Sequence, residues 1–207
     1  MIRAVFFDFD GVLVDSFSFW YGLFNDALHR FQRKPMSEEE FRRLAWGISS
    51  RDNRERFFKG TSFEELVALY RKTYAGFLDR IRIMPHAKEV LASLKQQGLK
   101  IALITNSHDY MLPQILKGLG LFSYFDHIES FRQGIEPKPH PMMLNNALSR
   151  LGIGKEEAIF IGDTKVDAEA GRRAGIFTLC IGFPCDGKID KLEDILPIVE
   201  EKGQTGP

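Results

Sequence analysis

The chain has 207 residues, of which 44% are hydrophobic, enough for one sizeable core and a small second domain. Basic and acidic residues balance at 28 each, so no net charge draws the protein toward nucleic acid or a membrane. No apolar stretch approaches the roughly twenty residues that cross a bilayer. We therefore expect a cytoplasmic protein whose partner is a small molecule, with neither nucleic acid nor membrane as a partner.

The first fifteen residues contain the most informative segment. An apolar run over residues 4–7 predicts a buried strand, and Asp8 and Asp10 follow it with one residue between them. Residues i and i+2 of a strand project to the same side, so the two carboxylates would repel each other unless a cation or a proton lay between them. Gly11 lets the chain turn away there. The segment indicates a metal-assisted catalytic pair, with a solvated turn as the alternative.

Residues 16–84 contain no convincing strand and predict at least two amphipathic helices, which together look like a helical insertion. In the clearest helix, apolar residues recur at spacings of three and four between Phe63 and Ile81. A serine followed three residues later by glutamate is typical of a helix start. This pattern occurs twice in the insertion, as Ser37 with Glu40 and as Ser62 with Glu65.

The rest of the chain alternates short apolar runs with helical patterns, which predicts an α/β fold with a doubly wound parallel sheet. We expect strands over residues 4–8, 100–105, 127–130, 158–161 and 177–181. We expect helices over residues 87–97, 110–118, 141–151 and 165–174. In such sheets, ligands bind outside the carboxyl ends of the strands, where the strand order reverses.

Polar residues follow three of these later segments. Thr105 and Asn106 end one strand and could hold phosphate oxygens, although such residues are common turn formers. Lys138 lies among three prolines that stiffen the backbone, with an exposed loop lysine as the alternative. Asp163 ends another apolar run, and Asp167 follows it; a helix N-cap is the alternative role for Asp163. Carboxylates from two strands could hold one hard cation such as Mg²⁺.

The two cysteines, Cys180 and Cys185, are too few for a disulfide framework or a four-cysteine zinc site. We expect both to be small buried apolar side chains. The sequence leaves open whether they pair with each other.

In their order and spacing, these motifs resemble the haloacid dehalogenase superfamily of phosphotransferases over nearly the whole chain. The four motifs lie at residues 8–16, at Thr105 and Asn106, at Lys138 and at residues 162–167. The insertion is similar to the α-helical cap of the subgroup that includes phosphoglycolate phosphatases and β-phosphoglucomutases. The resemblance implies a Rossmann-like core domain over residues 1–15 and 85–207, with a helical cap domain over residues 16–84.

The resemblance also implies a role for each motif residue. Asp8 would be the nucleophile that forms an aspartyl-phosphate, and Asp10 the general acid and base. Mg²⁺ would be held by the Asp8 carboxylate, the Asp10 backbone carbonyl and Asp163, with Asp167 in a supporting position. The transferring phosphoryl oxygens would be bound by three residues, namely Thr105, Asn106 and Lys138.

By the same resemblance we expect a Mg²⁺-dependent phosphatase of small phosphomonoesters, similar to phosphoglycolate phosphatases. The acid at position 10 favours phosphate esters over alkyl halides, because only an alkoxide leaving group needs a proton. Arg51, in a loop similar to the cap loop of phosphoglucomutases and several phosphatases, would contact an anionic substrate group; a plain surface arginine is the alternative. A sugar-phosphate mutase is the first alternative function, and a non-catalytic binding protein on the same fold is the second.

Overall fold

The computed structural model describes residues 1–204, and the chain divides into two compact units. One unit combines Met1–Val14 with the chain from Ile83 onward, and the other is Asp15–Arg82. The strands are β1 (Ala4–Phe7), β2 (Val14–Asp15), β3 (Arg82–Ile83), β4 (Lys100–His108), β5 (His127–Phe131), β6 (Ala158–Gly162), β7 (Phe177–Ile181) and β8 (Gly187–Ile189). The helices are α1 (Phe17–Arg30), α2 (Glu38–Leu44), α3 (Ser50–Phe57), α4 (Phe63–Thr73), α5 (Ala87–Gln96), α6 (Leu112–Leu119), α7 (Met142–Leu151), α8 (Lys165–Ala174) and α9 (Ile195–Gln204).

The first unit is built on a six-stranded sheet in the order β5-β4-β1-β6-β7-β8, and all its neighbouring strands are parallel. Every residue of β1 is buried, as expected for a central strand covered on both faces. From β1 the chain builds outward through β4 and β5, then returns to add β6 on the other side. The strand order therefore reverses at β1, where ligands bind in sheets of this kind.

The α/β prediction is confirmed, and each predicted strand and helix of this unit is present with shifts of a few residues at its ends. Strand β8 and helix α9 were not predicted. The short strand β3 corrects the expectation of no strand over residues 16–84. Strands of two or three residues are too short to show a period-two pattern.

The second unit contains α1 to α4 and a 3-10 helix over Tyr74–Arg80. Both predicted capping boxes are present, at the starts of α2 and α4. The helix predicted to run on to Ile81 instead ends as an α-helix at Thr73 and tightens into the 3-10 segment. That segment contains Gly76, which weakens an α-helix. The part of the chain that the structure describes has no helix long and apolar enough to span a membrane.

The two cysteines correct a prediction. A disulfide joins Cys180, at the end of β7, to Cys185 in the turn before β8, and the two Cα atoms are 5.9 Å apart. Cys180 is buried, whereas Cys185 is partly exposed. The expectation of a buried side chain therefore holds for Cys180 and is wrong for Cys185. The pairing, which the sequence left open, forms because the turn between β7 and β8 brings the two residues within disulfide distance.

Candidate active site

The first acidic segment lies at the carboxyl end of β1. The backbone N–H of Asp8 still bonds the carbonyl of Ile161 at 2.8 Å, which fixes Asp8 at the sheet edge with 6% of its surface exposed. Gly11 has a φ of +86° and donates its N–H to the carbonyl of Val14, so the chain turns sharply after the two acids. A Cβ at Gly11 would lie 2.0 Å from Oδ2 of Asp163. Glycine here thus lets two chain segments approach closely.

Lys138 points inward and is 2% exposed, so the alternative of an exposed loop lysine is wrong. Its Nζ lies 2.7 Å from Oδ1 of Asp8, 2.5 Å from Oδ1 of Asp167 and 3.0 Å from the carbonyl oxygen of Ile104. The side-chain amide of Asn106 holds the lysine backbone in place. It donates to the Lys138 carbonyl at 3.0 Å and accepts the Lys138 N–H at 2.8 Å. Asn106 therefore positions Lys138 from the neighbouring segment.

The fourth motif begins where β6 ends. Thr164, not Asp163, is the N-cap of α8, so the alternative role of Asp163 as a cap is wrong. The carboxylate of Asp167 accepts the backbone N–H of Thr164 at 3.1 Å and also its hydroxyl, which holds Asp167 in place at 1% exposure. A Cβ at Gly162 would lie 2.2 Å from Cβ of Asp167. The capping box and this glycine together place one carboxylate directly beside the sheet edge.

Three carboxylates meet at this edge, from Asp8, Asp163 and Asp167, and one oxygen of each lies within 4.8 Å of the other two. Burial raises the pKa of Asp163 to about 7, helped by the Asp167 carboxylate and opposed by Lys138. Burial likewise raises the pKa of Asp8 well above its ordinary value, while Lys138 opposes the rise and the carboxylates of Asp167 and Asp163 add to it. The cluster thus holds more negative charge than one lysine balances.

The same cluster fits a hard cation. Oδ1 of Asp163 is buried and finds no hydrogen-bond partner among residues 1–204, although a buried carboxylate oxygen ordinarily has one. The donor set is oxygen only, which suits Mg²⁺. A bound cation would favour the ionised forms of Asp8 and Asp163 and satisfy the orphaned oxygen. The predicted metal residues Asp8 and Asp163 are thus brought together, and Asp167 lies with them.

The Asp10 side chain faces the end of β4. Its Oδ2 accepts a 2.6 Å hydrogen bond from the hydroxyl of Ser107 and a 3.4 Å bond from that of Thr105. Thr105 in turn accepts the backbone N–H of Ser107 at 2.9 Å. Sequence reasoning missed Ser107. Its position two residues after Thr105, on the same side of the strand, was the available signal.

Arg51 lies in the first turn of α3, in the second unit, and is partly exposed. Its contact with substrate stays a prediction.

Comparisons with known proteins place this site in a family. Residues 5–181 match the family model described as haloacid dehalogenase-like hydrolase. A phosphoglycolate phosphatase of Pectobacterium atrosepticum is 30% identical, with 96% of this chain and 92% of that protein covered. Pyrophosphatase PpaX of Bacillus cereus is 27% identical, and 99% of each chain is covered. The structure of a β-phosphoglucomutase from Clostridium difficile superposes with a TM-score of 0.83 at 23% identity, over 98% of this chain and 97% of that one.

The chain belongs to the haloacid dehalogenase-like hydrolases. The predicted family, its α/β fold and a hydrolase with phosphatase relatives are therefore confirmed. The similarity to the mutase structure shows a shared fold only.

Proposed function

We propose that the protein is a Mg²⁺-dependent phosphatase that hydrolyses small phosphomonoesters through an aspartyl-phosphate on Asp8, in the manner of a phosphoglycolate phosphatase. One observation carries the proposal. The buried ammonium of Lys138 lies 2.7 Å from the Asp8 carboxylate, beside two further carboxylates at the reversal point of the sheet. A carboxylate cannot attack a phosphate anion unless positive charge offsets their mutual repulsion.

Asp8, Asp163 and the backbone carbonyl of Asp10 would hold Mg²⁺, with Asp167 supporting them. When bound, the ion would neutralise negative charge between the carboxylates and the phosphoryl group. Lys138 supplies a second, permanent positive charge, because the carboxylates of Asp167 and Asp8 raise its pKa despite its burial.

The reaction then proceeds in two steps on this chain's own residues. An oxygen of Asp8 attacks phosphorus while Asp10 gives a proton to the departing alkoxide. Asp10 next takes a proton from the water that attacks the aspartyl-phosphate. The hydroxyl of Thr105 and the backbone N–H of Asn106 would bind the phosphoryl oxygens, since the Asn106 side chain is engaged by Lys138.

We further propose that residues 16–84 form a cap domain and that Arg51 contacts an anionic part of the substrate. The names of the two sequence relatives suggest two test compounds, 2-phosphoglycolate and inorganic pyrophosphate. Both are small anions that carry a phosphoryl group.

Phosphate release from a panel of phosphorylated metabolites, with Mg²⁺ and with EDTA, tests the proposal. The panel includes the two test compounds and p-nitrophenyl phosphate, and an Asp8→Asn variant is the control. We expect phosphate release that requires both Mg²⁺ and Asp8. Undiminished hydrolysis by the variant would refute the mechanism. Conversion of β-glucose 1-phosphate to the 6-phosphate without phosphate release would instead favour the mutase alternative.

A further inference from the structure

Ser107 is a buried serine at the end of β4 that the proposed reaction does not yet use. Its hydroxyl donates a 2.6 Å hydrogen bond to Oδ2 of Asp10, and the residue is only 4% exposed. The two residues are 97 positions apart in the chain, so the pairing of β1 with β4 creates the contact. A hydrogen bond to a carboxylate is among the stronger ones in proteins, and this one is partly buried.

Thr105 cannot replace Ser107 in this contact during the reaction. Its hydroxyl lies 3.4 Å from the same oxygen of Asp10, while its own oxygen accepts the backbone N–H of Ser107. A hydroxyl has one proton to donate. When Thr105 gives that proton to a phosphoryl oxygen, Ser107 still donates to Asp10.

We propose that Ser107 is a positioning residue for Asp10. Its hydrogen bond to Oδ2 holds the Asp10 carboxylate against β4 while Asp10 exchanges the proton, a role that rests on the proposed function. In the first step, the bond from Asp8 to phosphorus forms, the bond to the leaving oxygen breaks, and the proton of Asp10 passes to that oxygen. In the second step, water oxygen bonds to phosphorus, the bond to Asp8 breaks, and a water proton returns to Asp10. Ser107 exchanges no proton in either step.

The dependence of kcat/KM on the leaving group of the substrate tests this role. We compare wild type, Ser107→Ala and Ser107→Thr on p-nitrophenyl phosphate, whose leaving group needs little protonation, and on 2-phosphoglycolate, whose alkoxide needs a proton. The value of kcat/KM reports the steps up to the first irreversible one, here formation of the aspartyl-phosphate. Ser130→Ala is the matched control, because Ser130 is a buried serine that pairs in register with Thr105 on the neighbouring strand.

We expect Ser107→Ala to lower kcat/KM on 2-phosphoglycolate by about 10- to 100-fold and on the aryl phosphate by no more than about 3-fold. Its kcat should fall on both substrates, because the water step is common to both. Ser107→Thr, which keeps a hydroxyl, should recover most of the loss, and Ser130→Ala should behave like wild type. If Ser107→Ala does not fold, Ser107→Cys gives the same comparison with a weaker donor of similar size.

An equal loss of kcat/KM on the two substrates, or no loss on either, would overturn the positioning role. Failure of the proposed function gives a different result, namely a wild-type protein that hydrolyses neither substrate. In that case, crystal structures of wild type and Ser107→Ala show whether Ser107 positions the Asp10 carboxylate. A displaced Asp10 carboxylate in the variant would support it, and an unmoved one would overturn it.

Discussion

The Nζ atom of Lys138 lies 2.7 Å from Oδ1 of Asp8, and both side chains are buried. The same ammonium lies 2.5 Å from Asp167, so one cation is shared by two carboxylates. A buried charge without its partner is far more costly than an exposed one. The candidate nucleophile therefore depends on a residue 130 positions away for its charge balance.

Replacing Lys138 by methionine should lower both stability and activity. The variant leaves the carboxylates of Asp8 and Asp167 without their cation, and removing one partner of a buried ion pair costs about 3–5 kcal/mol. We expect that loss in the free energy of unfolding, measured by urea denaturation in EDTA at pH 8, together with loss of phosphate release. Lys165→Met is the control, since Lys165 is exposed. Equal stability of the two variants would contradict the shared ion pair.

Asp8→Asn and Asp10→Asn should differ in their substrate dependence. Without the nucleophile, turnover should be lost on every phosphate ester, because no aspartyl-phosphate forms. Without the proton donor, kcat/KM should fall by about 100- to 1,000-fold on 2-phosphoglycolate but much less on p-nitrophenyl phosphate. Steady-state kinetics on both substrates provide the measurement. A uniform loss in Asp10→Asn would argue against its role as the general acid.

The stabilisation by Mg²⁺ should grow with pH. The pKa of Asp163 is about 7 in the folded chain against an ordinary value of 3.8. Between these values the folded chain binds a proton that the unfolded chain lacks, so the stability of the EDTA-treated protein should fall as pH rises toward 7. Mg²⁺ competes with that proton. The increase in Tm on adding Mg²⁺ should therefore be small at pH 5 and large at pH 8.

Asp163→Asn is the control for this pH dependence. The variant cannot ionise at that position, so it should lose most of the Mg²⁺-induced shift in Tm and much of the fall in stability between pH 5 and 7. An unchanged shift in Asp163→Asn would place the cation elsewhere.

Gly11→Ala should impair the site through the close approach of Gly11 to Asp163. An added Cβ would lie 2.0 Å from the Asp163 carboxylate, and the positive φ of +86° adds backbone strain of roughly 1–3 kcal/mol. We expect weaker Mg²⁺ binding and lower activity along with lower stability. Gly182→Ala is a matched control with a φ of +82°, and apart from its chain neighbours no atom of residues 1–204 lies within 4 Å of the added Cβ. If both variants bind Mg²⁺ equally well, the contact with Asp163 is unimportant.

The periodic patterns of the sequence were sufficient to predict the main strands of the sheet and the helices that cover it. Long helices such as α5 and α8 bury one face, so their apolar residues recur at helical spacing and can be recognised in the sequence. The short strand β3 and the switch to a 3-10 helix after Thr73 escaped prediction, because segments of this length or type leave no periodic signal. The pairing of Cys180 with Cys185 escaped for a different reason, since it depends on the turn between β7 and β8.

By itself, the sequence determined which polar side chains lie near the carboxyl ends of the strands, namely Asp8, Asp10, Thr105 and Asp163, because each occurs at or just after an apolar run. Only the tertiary structure decided how they pair. It directed the Lys138 ammonium toward Asp8 and placed the Ser107 hydroxyl beside Asp10. It also buried an oxygen of Asp163 that has no hydrogen-bond partner within residues 1–204. These contacts join residues about 100 or more positions apart, and local chain preferences carry no information about such distances. The parallel register of β1 with β4 brings Ser107 to Asp10, and Asn106 of β4 holds the backbone of Lys138 beside Asp8.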